Sequence, residues 1–191
     1  MKHLFQAFGG IFLAGSLTVS AQQSAGLQYG EAVRAFQRGD SATVVTILEP
    51  VVHSAELKGI ELGRVWLLLG ASYRAVGRYH SAELAYGDAT LLLKDDPLAV
   101  KDNEVLLRES GDFYREMGDF ASAERLENKG LQLSEEIQDH TAIARACQGL
   151  AELFLDRGEL RKGERFVSRA VDEVRLTSEF DEDDRAYLAQ L

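Results

Sequence analysis

The stretch that decides the fold reads Trp66-Leu-Leu-Leu69-Gly70-Ala-Ser-Tyr73-Arg-Ala-Val-Gly77-Arg-Tyr79-His-Ser-Ala82-Glu-Leu-Ala-Tyr86-Gly-Asp-Ala89. Trp66, Leu69, Gly70 and Tyr73 fall at i, i+3, i+4 and i+7, the spacing of one stripe on an α-helix. Gly77-Arg-Tyr79 makes a corner, after which Ala82, Tyr86 and Ala89 set out a second stripe of the same period. Small residues alternate with large aromatic ones along both stripes. Two antiparallel helices with that pattern can approach closely, each large side chain filling the gap above a small one.

Weaker copies flank this unit. Upstream, Leu27 to Arg38 is helical in pattern, Gly39-Asp40 marks a corner, and a helix from Ser41 carries Val44, Leu48 and Val51 where Ala82, Tyr86 and Ala89 stand. Ala32 and Ala35 take the places of Gly70 and Tyr73. Pro50 is expected to kink or shorten that second helix, because it lacks an amide donor and crowds the preceding turn. Downstream, Asp96 and Pro97 offer a cap and a first helical residue. The helix they open carries Leu107, Gly111 and Tyr114, and after Gly118-Asp-Phe120 comes Ala123, with Glu127 and Gly130 at weaker positions. A fourth unit has Cys147, Leu150, Ala151 and Phe154, the corner Gly158-Glu-Leu160, then Gly163, Val167 and Ala170. Corner glycines at 39, 77, 118 and 158 are spaced by 38, 41 and 40 residues. Past 180, Asp181 to Leu191 reads as a final polar helix, with Tyr187, Leu188 and Leu191 covering the last pair.

These motifs resemble the tetratricopeptide (TPR) repeat, closely in the second unit and over about residues 27–176 in all. TPR units commonly span about 34 residues, so the likeness is to long-unit variants of about 40. The resemblance implies an all-α protein: a right-handed α-solenoid of four TPR-like helical hairpins in residues 27–180, closed by a C-terminal capping helix at 181–191. Terminal units of solenoids are atypical because one side is solvated, which accounts for the poorer first copy.

The N-terminus implies an address. Lys2 precedes a largely apolar run from Ala7 to Val19, and Val19-Ser20-Ala21 fits a small-x-small cleavage site. Residues 1–21 are therefore expected to be a secretory signal peptide cut after Ala21, followed by a flexible tail at 22–26, giving a periplasmic or secreted product. An uncleaved N-terminal membrane anchor is the alternative; after cleavage no stable membrane insertion is expected. Loss of that segment leaves 20 basic against 31 acidic residues, a balance that argues against nucleic acid or an anionic membrane as partner. One cysteine, Cys147, excludes an intramolecular disulfide.

Catalytic signatures are missing. No G-x-S-x-G elbow, phosphate-binding G-x-x-x-x-G-K-[ST], H-E-x-x-H or G-x-G-x-x-G occurs. His53, His80 and His140 are scattered, so neither metal nor cofactor is expected, and the chain reads as a non-enzyme. Cys147 reads as a buried apolar position, and Asp181-Glu-Asp-Asp184 as a solvated helix start.

The resemblance implies a concave groove lined by the first helices of the units, receiving a protein or peptide. The helix faces opposite the packing stripes place there Arg64, Leu67 and Arg74, then Arg108 and Arg115, then Arg145, with Tyr29, Val33 and Phe36 at an apolar end. Asp112, Glu116, Glu152 and Asp156 share that face. Two readings stay open. The arginines pair internally on a solvated surface, or they recognise an acidic segment or a terminal carboxylate. The Lys, Asn and Arg set with which some TPR proteins clamp a carboxylate is not reproduced, since no Asn lines the groove. The expected role is an exported adaptor or scaffold; a regulatory module for a separate effector such as a caspase-like protease, or a self-associating component of a cell-envelope assembly, are the alternatives.

Overall fold

The computed structural model describes residues 24–54 and 56–177. Helices make up all of the regular structure among them. Helix α1 covers 24–37, followed by α2 (Ser41–His53), α3 (Gly59–Ala75), α4 (Tyr79–Leu93), α5 (Val100–Glu116), α6 (Phe120–Glu136), α7 (His140–Asp156) and α8 (Leu160–Val174). The architecture is all-α and solenoid-like, built of helical hairpins. It divides into two compact units, α1–α4 up to Asp96 and α5–α8 from Pro97. The expected signal peptide and capping helix lie outside the described residues. Residues 24–26, assigned to the tail from sequence, already belong to α1, where Ala25 is fully buried.

The corner glycines do what their position demands. Gly39, Gly77, Gly118 and Gly158 all have φ between 73° and 79°, the left-handed region where a Cβ is costly. At Gly77, its own amide donates to the Arg74 carbonyl and the Arg78 amide donates to the Tyr73 carbonyl at 2.8 Å, satisfying carbonyls that α3 leaves open. Asp40 and Asp119, the residues after two of these glycines, accept from the amides of Thr43 and Ser122 at 3.1 Å. Caps of this kind stabilise a helix by about 1 kcal/mol each. A further corner, between α6 and α7, has Gln138 at φ 54° instead of glycine, and Asp139 caps Ala142.

Unit 1 is keyed by the opening stretch. A Cβ on Gly70 would lie 2.7 Å from the Tyr86 ring, so α3 and α4 approach through a glycine that only a bare backbone allows. Leu69, Tyr73, Ala82, Tyr86 and Ala89 are buried around that contact. Trp66 is different: it is half-buried and meets His53 of α2 edge-on, ring centres 6.4 Å apart. The Tyr73 hydroxyl donates to Glu49 at 2.9 Å, and Arg78 pairs with the same carboxylate while lying over the Tyr73 ring. Burial first, then Glu49, pushes the Tyr73 phenol up to about 12.

Helix α2 ends at His53, three residues past Pro50, and its 13 residues make it shorter than α3 to α8. One sequence expectation about a helix end is corrected. Helix α5 begins at Val100, with Ala99 as its cap residue. Pro97 and Leu98 form a turn instead, and the Asn103 amide closes the first helical bond onto Ala99, which is fully buried and pins the chain there.

In unit 2, α7 is buried along most of its length. Leu150, Leu153 and Phe154 pack with Ala170 and Val174 of α8, and Phe166 stacks on Phe154 with ring centres 5.6 Å apart. Full burial of a leucine such as Leu150 contributes about 1.5–3 kcal/mol. Cys147 lies in this core with no exposure, and burial pushes its thiol up to about 12.

Candidate functional site

Helices α5 and α7 touch within unit 2, and their shared face carries the richest polar chemistry of the described chain. It starts from spacing. On α5, Lys101, Glu104, Arg108, Asp112 and Arg115 advance three or four residues at a time, so one stripe alternates in charge. On α7, Arg145, Gln148, Glu152 and Asp156 advance by the same steps and run from a cation through an amide to two acids.

Arg115 joins the two stripes. Its guanidinium reaches Glu152 at 2.6 Å and Asp156 at 2.9 Å on α7, and Asp112 at 3.4 Å on its own helix. Burial opposes its charge, but the hydrogen bond to Asp156 and the Glu152 and Asp112 charges outweigh that and hold its pKa above the ordinary value. Gln148 donates to Glu152 from one turn earlier. Arg108 pairs with Glu109 at 3.1 Å, and the carboxylates of Glu104, Asp112 and Glu127 add to its field against the opposing effect of burial. At the start of the helices, Lys101 meets Asp139 at 3.0 Å.

Beneath the face lies Glu127 of α6, 1% exposed, with neither carboxyl oxygen hydrogen-bonded among the described residues. It occupies the register position that Tyr86 has in unit 1. Its carboxyl group rests in a slot made by two glycines: a Cβ on Gly111 of α5 or on Gly149 of α7 would come within 2.5 Å and 2.7 Å of its oxygens. Burial, helped by the Asp112 charge, pushes its pKa well above the usual carboxylate range, while Arg108 and Arg115 pull only partly back.

The sequence-derived residues distribute as follows. Arg108, Arg115 and Arg145 come together on the α5–α7 face, with Arg145 exposed and the other two largely covered. Arg115 is engaged by carboxylates of its own chain, as the internal-pairing reading expects. In unit 1, Arg64 is exposed and Arg74 half-buried on α3, while Leu67 is only 9% exposed. Tyr29 is half-buried and Phe36 exposed at 38% on α1. Sequence reasoning missed Lys101, Glu104 and Glu127. The signal for Glu127 was present as an acid where the stripe calls for a large apolar residue.

A cleft of about 160 Å³ opens between the first halves of α5 and α7 and the corner before α7. It is lined by Lys101, Glu104, Val105, Arg108, Ile137, Asp139, Thr141, Ala142 and Arg145. A second, of about 360 Å³, lies against α8 and is lined by Leu131, Lys162, Arg165, Phe166 and Arg169. Among the described residues no cluster of His, Cys, Asp and Glu has the arrangement to hold a metal ion, and no helix is long and apolar enough to cross a membrane.

Fold and face together define an all-helical, repeat-like protein with a polar face on paired first helices. No family profile and no curated protein matches the sequence. Among solved structures, the crystal structure of BtubC (BKLC) from P. vanneervenii is similar, with a TM-score of 0.73 at 14% identity, covering 92% of this chain and 73% of that one. At that identity the likeness is one of fold.

Proposed function

We propose that this chain is a TPR-like, exported adaptor that holds a protein or peptide segment against the first helices of its hairpins, with the α5–α7 face as its principal contact. The observation that carries the reading is that face itself: charged and amide side chains in ordered stripes, mounted on hairpins locked by close glycine contacts. Preorganised polar groups on a rigid scaffold lose little entropy when a partner binds. The repeat spacing supports the TPR assignment, and residues 1–21 support export.

The partner chemistry is narrower than the arginine count alone implies. Arg108 and Arg115 pair with their own chain's carboxylates, and Arg145 is the exposed arginine of the same face, where the proposal has it meet an acidic segment. No reaction is part of the proposal. Affinity capture from the native envelope fraction with wild type and Arg145→Glu tests it. The variant is expected to lose a salt-sensitive partner that wild type retains; the same proteins captured with the same salt response would refute it. Mass measurement of the mature N-terminus checks the expected cut after Ala21.

A further inference from the structure

We propose that the 360 Å³ cleft between α6 and α8 is a binding site for an apolar carboxylate, a singly charged head on a hydrocarbon or aromatic body. It is built on the second helices of the hairpins α5–α6 and α7–α8 and shares no residue with the cleft on the α5–α7 face, so it does not rest on the adaptor reading.

The helical period makes the walls. On α8, Lys162, Arg165, Phe166 and Arg169 fall at i, i+3, i+4 and i+7, so three cations and one aromatic ring share a stripe, and Leu131 of α6 completes the lining. The apolar part is held in place: Leu131 is buried, and Phe166 stacks on Phe154 of α7 with ring planes 11° apart. The volume falls within the range of about 300–1,000 Å³ typical of small-ligand sites.

Charge selects the head group. The chain as a whole carries a net charge of −10, yet among the described residues every charged side chain lining this cleft is a cation. Two of the three are already engaged: Arg169 pairs with Glu135 and Glu173, and Lys162 pairs with Glu159 while its ammonium lies over the Phe154 ring. Arg165 is exposed and has no ion pair or hydrogen bond among the described residues. Its planar guanidinium can therefore hold a carboxylate through two parallel N–H···O bonds. With one cation left over, the site balances one negative charge; a dianion would have to compete with Glu135 or Glu159 for a second. A bare anion leaves Phe166 and Leu131 uncovered, and a neutral apolar group leaves Arg165 unused, so head and body are both needed.

The test is a titration of the isotope-labelled full chain, following the backbone amide signals of Leu131 and Phe166, with Val105 on the α5–α7 face as reference. The probes are 3-phenylpropionate, its primary amide, 2-phenylethylphosphonate, acetate, and N-acetyl-glycyl-phenylalanine with a free C-terminus. 3-Phenylpropionate is expected to shift the two signals saturably in the millimolar range, as suits a ligand of its size. The amide should bind about tenfold more weakly, the factor a charge-assisted hydrogen bond provides, and acetate more weakly still for want of apolar contact. Arg165→Gln, at an exposed position, should lose the same tenfold with helix content unchanged. Arg161→Gln removes an equal charge from an exposed neighbour outside the cleft and should lose nothing. Binding of both acid and peptide supports a site open to chain termini; binding of 3-phenylpropionate alone supports a free organic acid as the source. No saturable shift, equal affinity for acid and amide, tighter binding of the phosphonate, an equal shift at Val105, or equal losses from the two arginine variants would each overturn the assignment.

Discussion

Glu127 and Gly149 should be energetically coupled strongly enough to reverse the sign of a mutation. Adding a methyl group at Gly149 places it 2.7–2.8 Å from three carboxyl atoms of Glu127, where ordinary contact begins near 3.4 Å. The carboxyl group has nowhere to retreat, because the Gly111 backbone closes the other side of the slot as tightly. Overpacking of this sort costs about 1–3 kcal/mol. Alanine in mid-helix gains about 1 kcal/mol over glycine. Gly149→Ala in wild type is therefore expected to destabilise unit 2 by about 0–2 kcal/mol net. In a Glu127→Ala background the clash is gone and the same substitution should stabilise by up to about 1 kcal/mol. The coupling energy is then about 1–3 kcal/mol. Urea unfolding of the four proteins, followed by far-UV circular dichroism and comparing the transition of unit 2 at matched slopes, measures it. A Gly149→Ala effect that is the same in both backgrounds would refute the placement of Glu127 in the glycine slot.

Three further outcomes follow from the same unit. Glu127 holds its proton in the fold more tightly than in the unfolded chain, so the native state binds more protons and wild-type stability should fall as pH rises above about 4.3; Arg108, Asp112 and Arg115 from α5 and Glu152 from α7 set its field. Glu127→Gln should flatten that slope above the ordinary carboxylate range, read from denaturation midpoints, and an unchanged slope would count against a buried acid with a raised pKa. Arg115→Met leaves Asp112, Glu152 and Asp156 facing one another, and is expected to cost about 1–3 kcal/mol, between the surface and buried limits; added salt should shrink the loss. Cys147, buried with its thiol pushed up to about 12, should react with a thiol reagent only at the rate of local opening and become fast in urea; rapid labelling of the native protein would show an open core.

How far each element was legible depends on whether its cause is local. Gly39, Gly77, Gly118 and Gly158 announced their corners because a left-handed residue is a single-residue property. Gln138, at an equivalent bend closed by the same local hydrogen bonds, went unread because glutamine carries no signal for the left-handed region. Trp66 has the right spacing for the core but lies at its edge, since periodicity gives the face of a helix and not how far its neighbours extend. Arg115 was placed on the correct face, yet only the approach of α7 decided that its charge is spent on Glu152 and Asp156.

What the sequence alone determined is the class of architecture: repeated helix pairs, their corners, and the alternation of small with large residues that lets paired helices approach closely. Those follow from period, backbone freedom and side-chain size, all properties of residues close in the chain. Only the tertiary structure decided which polar groups are spent and which are left over. Glu127 becomes a buried acid because Gly111 and Gly149, 38 residues apart in sequence, bring two helices against it. Glu104 Oε1 and Arg108 Nε are left buried without a hydrogen-bond partner among the described residues, because burial strips them of water without supplying every partner.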